Sequence, residues 1–160
     1  MADATDLGSV TLRGVEVQIL SSALGILDFG FSILDWDLTN LDEEGFKRRT
    51  KLLGLRVIRL VEALPEGKTA EILGRQLLRS ATSVGANYRA ACRGRSVADL
   101  IAKLSIVEEE ADETLYWLEL LVEAGVMPQE RLADLIAETN EIVAMTVSSI
   151  KTLRARQSKS

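Results

Sequence analysis

Histidine is absent from these 160 residues. The commonest general base, the commonest metal ligand and the usual acid switch are therefore missing together, and most familiar hydrolase and transition-metal chemistries lose their residues. Cysteine occurs once, as Cys92, so no internal disulfide can form and no cysteine-rich zinc site exists. A reducing compartment follows, and a cytoplasmic protein is expected. Proline occurs twice and glycine 11 times, too rarely to punctuate a chain of short strands. Aromatic residues make up only 4% of the chain. Long apolar runs are lacking too, because Asp28, Asp35 and Asp37 interrupt the most apolar stretch well short of the roughly 20 residues that cross a bilayer. The acidic start MADATD is a poor secretory leader, which needs a basic first segment.

What the chain does have is leucine, alanine, glutamate, arginine, isoleucine and valine in long runs of helical period, the composition of one all-α domain. Phe46, Leu53, Val57, Leu60 and Leu64 form a heptad-like stripe for a first helix from about Asp42 to Ala63, closed by Pro65 and Gly67. Thr69 is the expected cap of a second helix that stops near Arg93 at Gly94, with Glu71 in its first turn. Ser96 with Asp99 forms a capping-box pattern for a third helix running from Val97 to Ala124, where Gly125 ends it. Pro128 belongs in the first turn of a fourth helix reaching about Ala155, whose buried side is marked by Leu132, Leu135, Ile136, Ile142, Val143, Val147 and Ile150. Four helices joined by short turns predict an up-down-up-down, left-handed four-helix bundle.

The net charge of −5 belongs to the first 40 residues, which hold six acids and one base; the remaining 120 balance 18 against 18. Residues 1–40 are expected to be an acidic extension, poorly ordered or packed at the periphery. Residues 41–155 are the bundle and 156–160 a flexible tail.

Residues Gln76 to Ser96 carry the clearest functional pattern. At about 100° per residue, Leu73, Leu77, Ser80, Val84, Tyr88 and Ala91 fall on one side and face a core. Arg75, Arg79, Arg89 and Arg93 fall on the other, with no carboxylate between Ile72 and Ala98. Gln76, Ser83 and Asn87 occupy one flank. The small residues Ala81, Gly85 and Cys92 occupy the other, where a neighbouring helix can approach closely. Arginine's planar, permanently charged fork suits phosphate, so the stripe is a candidate nucleic-acid surface. It also suits carboxylate, so it is equally a candidate half of a subunit contact. No aromatic residue interleaves it, which argues against single-strand binding by base stacking.

The third helix is acidic along Glu108, Asp112, Glu119 and Glu123, a solvated face or a partner for arginines. Glu109, Glu110 and Glu113 read as surface charges. A bundle metal site wants inward carboxylates with Glu-x-x-His motifs, which a chain without histidine cannot supply, so neither metal nor cofactor is expected. Ile106, Trp117 and Leu120 lie largely opposite this helix's core face. A helix apolar on two sides needs two neighbours, so these residues are the expected contact of a homo-oligomer. No Walker, dinucleotide or nucleophile motif occurs, and no catalytic residue is expected.

The pieces Leu78-Arg79-Ser80, Ser83-Val84-Gly85-Ala86-Asn87-Tyr88, Arg95-Ser96, Lys103, Glu113-Thr114 and Tyr116-Trp117-Leu118 resemble the four-helix-bundle proteins encoded in intervening sequences of the 23S ribosomal RNA gene. The resemblance extends over about Leu41 to Arg154, with departures at Ala90, where the motif often has glutamate, and at Leu100, where it often has phenylalanine. It implies a bacterial bundle that assembles as a ring of five subunits and has no catalytic activity. A related group, the accessory proteins of diversity-generating retroelements, implies RNA and a reverse transcriptase as partners, with Arg79, Arg89 and Arg93 as the RNA contacts.

Overall fold

The computed structural model describes residues 43–158. The expected extension at residues 1–40 lies outside them. Four helices follow one another: α1 (Glu43–Glu62), α2 (Lys68–Ala91), α3 (Val97–Glu123) and α4 (Gln129–Gln157). No strand occurs among the described residues. At 1.5 Å per residue the helices grow from about 30 Å for α1 to about 44 Å for α4.

Local chemistry sets the ends. Glu43 and Glu44 open α1 and Arg59 lies in its last turn, charges that match the helix dipole. The expected cap at Thr69 is not formed. The helix begins one residue before it, and the N-cap is Gly67 (φ 154°), which has no side chain to accept a hydrogen bond. Ser96 caps α3 as its type requires, accepting from the Asp99 N–H at 3.1 Å. The Asp99 carboxylate reaches back to the Arg95 N–H at 3.0 Å, one residue beyond its place in a capping box. After α3 the chain turns through Gly125 (φ 68°), a left-handed position suited to glycine. There the Gly125 N–H bonds to the Val122 carbonyl and the Val126 N–H to the Leu121 carbonyl, satisfying the last turn of the helix. Pro128 occupies the N-cap rather than the first turn, and α4 continues two residues past Ala155.

Successive helices run antiparallel. The start of α2 packs on the end of α1, where Gly74 meets Val61 and Leu64, and Gly85 further along meets Thr50 near the start of α1. Ser80 pairs with Thr114 across α2 and α3, and Ala91, Leu104 and Ile150 gather the end of α2, the start of α3 and the end of α4 at one end of the bundle. The diagonal pairs, α1 with α3 and α2 with α4, bring no Cα atoms within 8 Å of each other, and α1 meets α4 over a much shorter stretch than α2 meets α3.

The main core contains Leu53, Val57, Leu77, Val84, Val107, Leu118, Leu121, Leu132 and Ile142. Burying each such side chain favours the fold by roughly 1.5–3 kcal/mol over leaving it in water. Between them sit Thr50, Thr114, Thr139 and Thr146, all buried. Each hydroxyl bonds to the carbonyl four residues earlier (Phe46, Glu110, Leu135 and Ile142), so these polar groups enter the core without losing a partner.

Candidate nucleic-acid interface

Arg75, Arg79 and Arg89 are exposed on α2, on the side away from its buried residues Leu77, Ser80, Ala81 and Val84; Arg93 is exposed too, but α2 ends at Ala91, two residues short of the expected end, and Arg93 lies in the turn that follows. Their local partners differ. Arg75 has one nearby, against expectation, because Glu71 lies one turn earlier and just outside the carboxylate-free stretch; the two meet at 3.0 Å. Both side chains are well exposed, and such pairs contribute little. Arg79 bends off the stripe towards α3, where it bonds to Glu113 and lies 4.0 Å from Glu110. Arg89 and Arg93 have no carboxylate partner among the described residues.

Glu110 and Glu113 are thus not simple surface charges. The Glu113 carboxylate also accepts the indole N–H of Trp117 at 3.0 Å. That bond holds its pKa below the ordinary 4.5; partial burial opposes it and the Arg79 guanidinium reinforces it. Glu110 moves the other way. Burial raises its pKa against the pull of Arg79, and one of its carboxylate oxygens is buried without a hydrogen-bond partner. One turn from these residues, on the same seam, the Thr114 and Ser80 hydroxyls meet at 3.0 Å.

Trp117 is half-buried against the core, with Tyr116 edge-on to it at 5.0 Å between ring centres. Leu120 is half-buried, while Ile106 and Tyr116 are exposed. The residues expected at an oligomer contact therefore share the α3 flank that carries Glu113, next to Arg79. Glu108 is half-buried, whereas Asp112, Glu119 and Glu123 are exposed.

The close approach expected from the small flank of α2 is present. A Cβ placed on Gly85 would lie 3.3 Å from the Thr50 carbonyl oxygen and 3.7 Å from the Lys51 nitrogen. Gly54 on α1 makes the reciprocal approach, its added Cβ lying 3.9 Å from the Thr82 Cα. Cys92, just past α2, is half-buried, and burial raises its thiol pKa.

A residue that sequence reasoning passed over is the most constrained cation of all. Arg49 on α1 is buried, with a forked contact to Glu138 on α4 (2.6 and 3.0 Å), a further bond to Glu141, and Met145 sulfur at 3.0 Å. Burial works against its charge, but the two glutamates outweigh it and its pKa lies above its ordinary value. Its position three residues after Phe46, on the core side of the stripe, was the available signal.

Among the described residues no group of three or more histidine, cysteine, aspartate or glutamate side chains could hold a metal ion. Nor is any helix among them long and apolar enough to cross a membrane.

Fold and surface together define a small antiparallel four-helix bundle with a basic helix face and no assembled catalytic centre among the described residues. Residues 45–148 match the 23S rRNA-intervening sequence protein family, and the chain belongs to that family. It is also similar to a crystal structure from Bacteroides thetaiotaomicron described as a protein with unknown function from the S23 ribosomal protein family. That likeness has a TM-score of 0.64 and 35% identity, and covers 68% of this chain and 97% of the other. No curated protein matches the sequence.

Proposed function

We propose that this protein is a non-catalytic, homo-oligomeric bundle that binds RNA through the exposed arginines of α2. The observation that carries the reading is the pair Arg89, near the end of α2, and Arg93, in the turn that follows it, both exposed in a stretch without carboxylates and unmatched by any ion-pair partner among the described residues. Two solvated guanidinium groups four residues apart form a ready contact for phosphate. Arg79 is the weaker contact, because Glu113 and Glu110 already offset its charge. Self-association is supported by Ile106 and Tyr116, exposed among the described residues beside the half-buried Trp117 and Leu120.

The test is charge reversal at Arg89 and Arg93 together, read by fluorescence anisotropy with labelled RNA and by light scattering after size exclusion. Loss of RNA binding from an intact oligomer supports the proposal. Dissociation of the oligomer would instead assign these arginines to subunit assembly, with a protein such as a reverse transcriptase as the partner.

A further inference from the structure

The reading above treats one helix, but the packing joins α2 to a second cationic segment. Residues 45–61 of α1, and 72–98 from α2 through the turn into the start of α3, contain no carboxylate at all. Within them Lys51 lies on the α2 side of α1, its backbone against Gly85, while Arg89 follows Gly85 by one turn on the same flank. Gly54 and Gly85 have no side chains to hold the helices apart, so Lys51 of α1 and Arg89 of α2 flank a close crossing, and the exposed strip around it includes Leu55, Thr82 and Ala86. Leu55 is 38% exposed, and Thr82 and Ala86 are exposed as well. Neither Lys51 nor Arg89 nor Arg93 has an ion-pair partner among the described residues. The row on α2 itself, from Arg75 to Arg89, spans about 21 Å at 1.5 Å per residue.

We infer that the α1–α2 face is a single phosphate-binding surface and that its partner is double-stranded RNA. The inference rests on the reading of the α2 arginines as an RNA surface. Three features select a duplex. The strip offers no aromatic ring on which an unpaired base could stack; Phe46 is in the core, Tyr88 is half-buried against it at 4.5 Å, and Tyr116 and Trp117 are on α3. The exposed Lys51 and Arg89 stand on two rigid helices, and so match a backbone of fixed shape better than a flexible strand. Duplex RNA, finally, is recognised mainly by shape and by phosphate and 2′-hydroxyl contacts, which exposed cations without neighbouring rings can supply.

The experiment uses the full chain with a mixed-sequence RNA duplex and its separated strands, measured by anisotropy across a salt series. Three phosphate contacts predict a log–log salt slope of about −2.7, so duplex affinity falls about 40-fold between 50 and 200 mM salt. Lys51→Gln should flatten the slope by about 1. Arg56→Gln is the control, about 140° around α1 from Lys51, and should leave the slope unchanged. Tighter binding of the duplex with this pattern supports the inference. Equal or tighter binding of the single strands overturns it, as does a slope that responds to Arg89→Gln but not to Lys51→Gln; both leave the α2 reading standing. Equal effects of Lys51→Gln and Arg56→Gln overturn it in favour of diffuse attraction. Failure to bind either form removes the α2 reading and this inference with it.

Discussion

Replacing Arg49 with methionine tests the bundle where its packing is thinnest. α1 meets α4 only briefly, and Arg49 with Glu138, Glu141 and Met145 forms the polar centre of that contact. The substitution keeps the length and apolar stem of the side chain while removing its charge. Glu141 is 65% exposed, so its carboxylate returns to water at little cost, whereas Glu138 is 20% exposed and is left buried without its fork. Breaking a buried pair from one side typically costs 3–5 kcal/mol. Because Glu138 keeps some access to water, the low end applies, and Arg49→Met should lose about 3 kcal/mol. For a bundle of this size that is a fall of about 12 °C in midpoint. Removing the second charge with Arg49→Met/Glu138→Met should recover most of the loss, because a pair replaced as a unit leaves no orphan. Glu141→Gln alone should cost less than about 1 kcal/mol.

Urea unfolding followed by far-UV circular dichroism, at one protein concentration because oligomers gain stability from mass action, gives the four stabilities of the cycle. With a slope of about 2 kcal/mol per molar urea, the single variant's midpoint moves down by about 1.5 M. A loss below 1 kcal/mol for Arg49→Met, or a double variant no more stable than the single one, would refute the reasoning that the Glu138 carboxylate depends on Arg49.

The two glycines at the α1–α2 crossing should separate in sign. Gly54→Ala meets only ordinary contacts at 3.8–3.9 Å and should gain up to about 1 kcal/mol of helix propensity, whereas Gly85→Leu drives into the Thr50 backbone and should lose about 2 kcal/mol or more, both readable from urea midpoints. Because the pKa of Glu113 is lowered in the folded chain, its contribution is present above about pH 4.5 and is lost as pH falls through its depressed value. In a Trp36→Phe background, Trp117 emission should therefore change only below pH 4.5, and Glu113→Gln should abolish that step; a midpoint above 4.5 would contradict the bond.

Periodicity made the helices legible, since Leu53, Val57, Leu77, Leu118 and Ile142 recur at spacings that only a helix turns to one side. The threonines of the core were not legible in the same way. Thr50, Thr139 and Thr146 count as polar in any pattern, and only a helix already formed supplies the carbonyl that satisfies each hydroxyl. Arg49 escaped for a related reason. Its burial depends on Glu138 and Glu141, about 90 residues away in sequence, and a single-helix projection has no access to a partner on another helix.

The same limit divides the arginine stripe. On a wheel Arg75, Arg79, Arg89 and Arg93 are equivalent, because a projection records direction but not what stands opposite. Opposite Arg79 stand Glu110 and Glu113, and beside them Ser80 meets Thr114 and Trp117 meets Glu113. The motif residues Arg79, Ser80, Glu113, Thr114 and Trp117, which carry much of the family resemblance, therefore converge on the α2–α3 seam. Their hydrogen bonds fix the register of those two helices. Of the cations without such obligations, Lys51 stands on α1, Arg89 on the α2 flank nearer α1, and Arg93 in the turn beyond α2. A chain can thus keep the seam that marks it as a member of the family while changing the charges on the face towards α1, so the family signature and the proposed RNA contact lie on opposite flanks of α2.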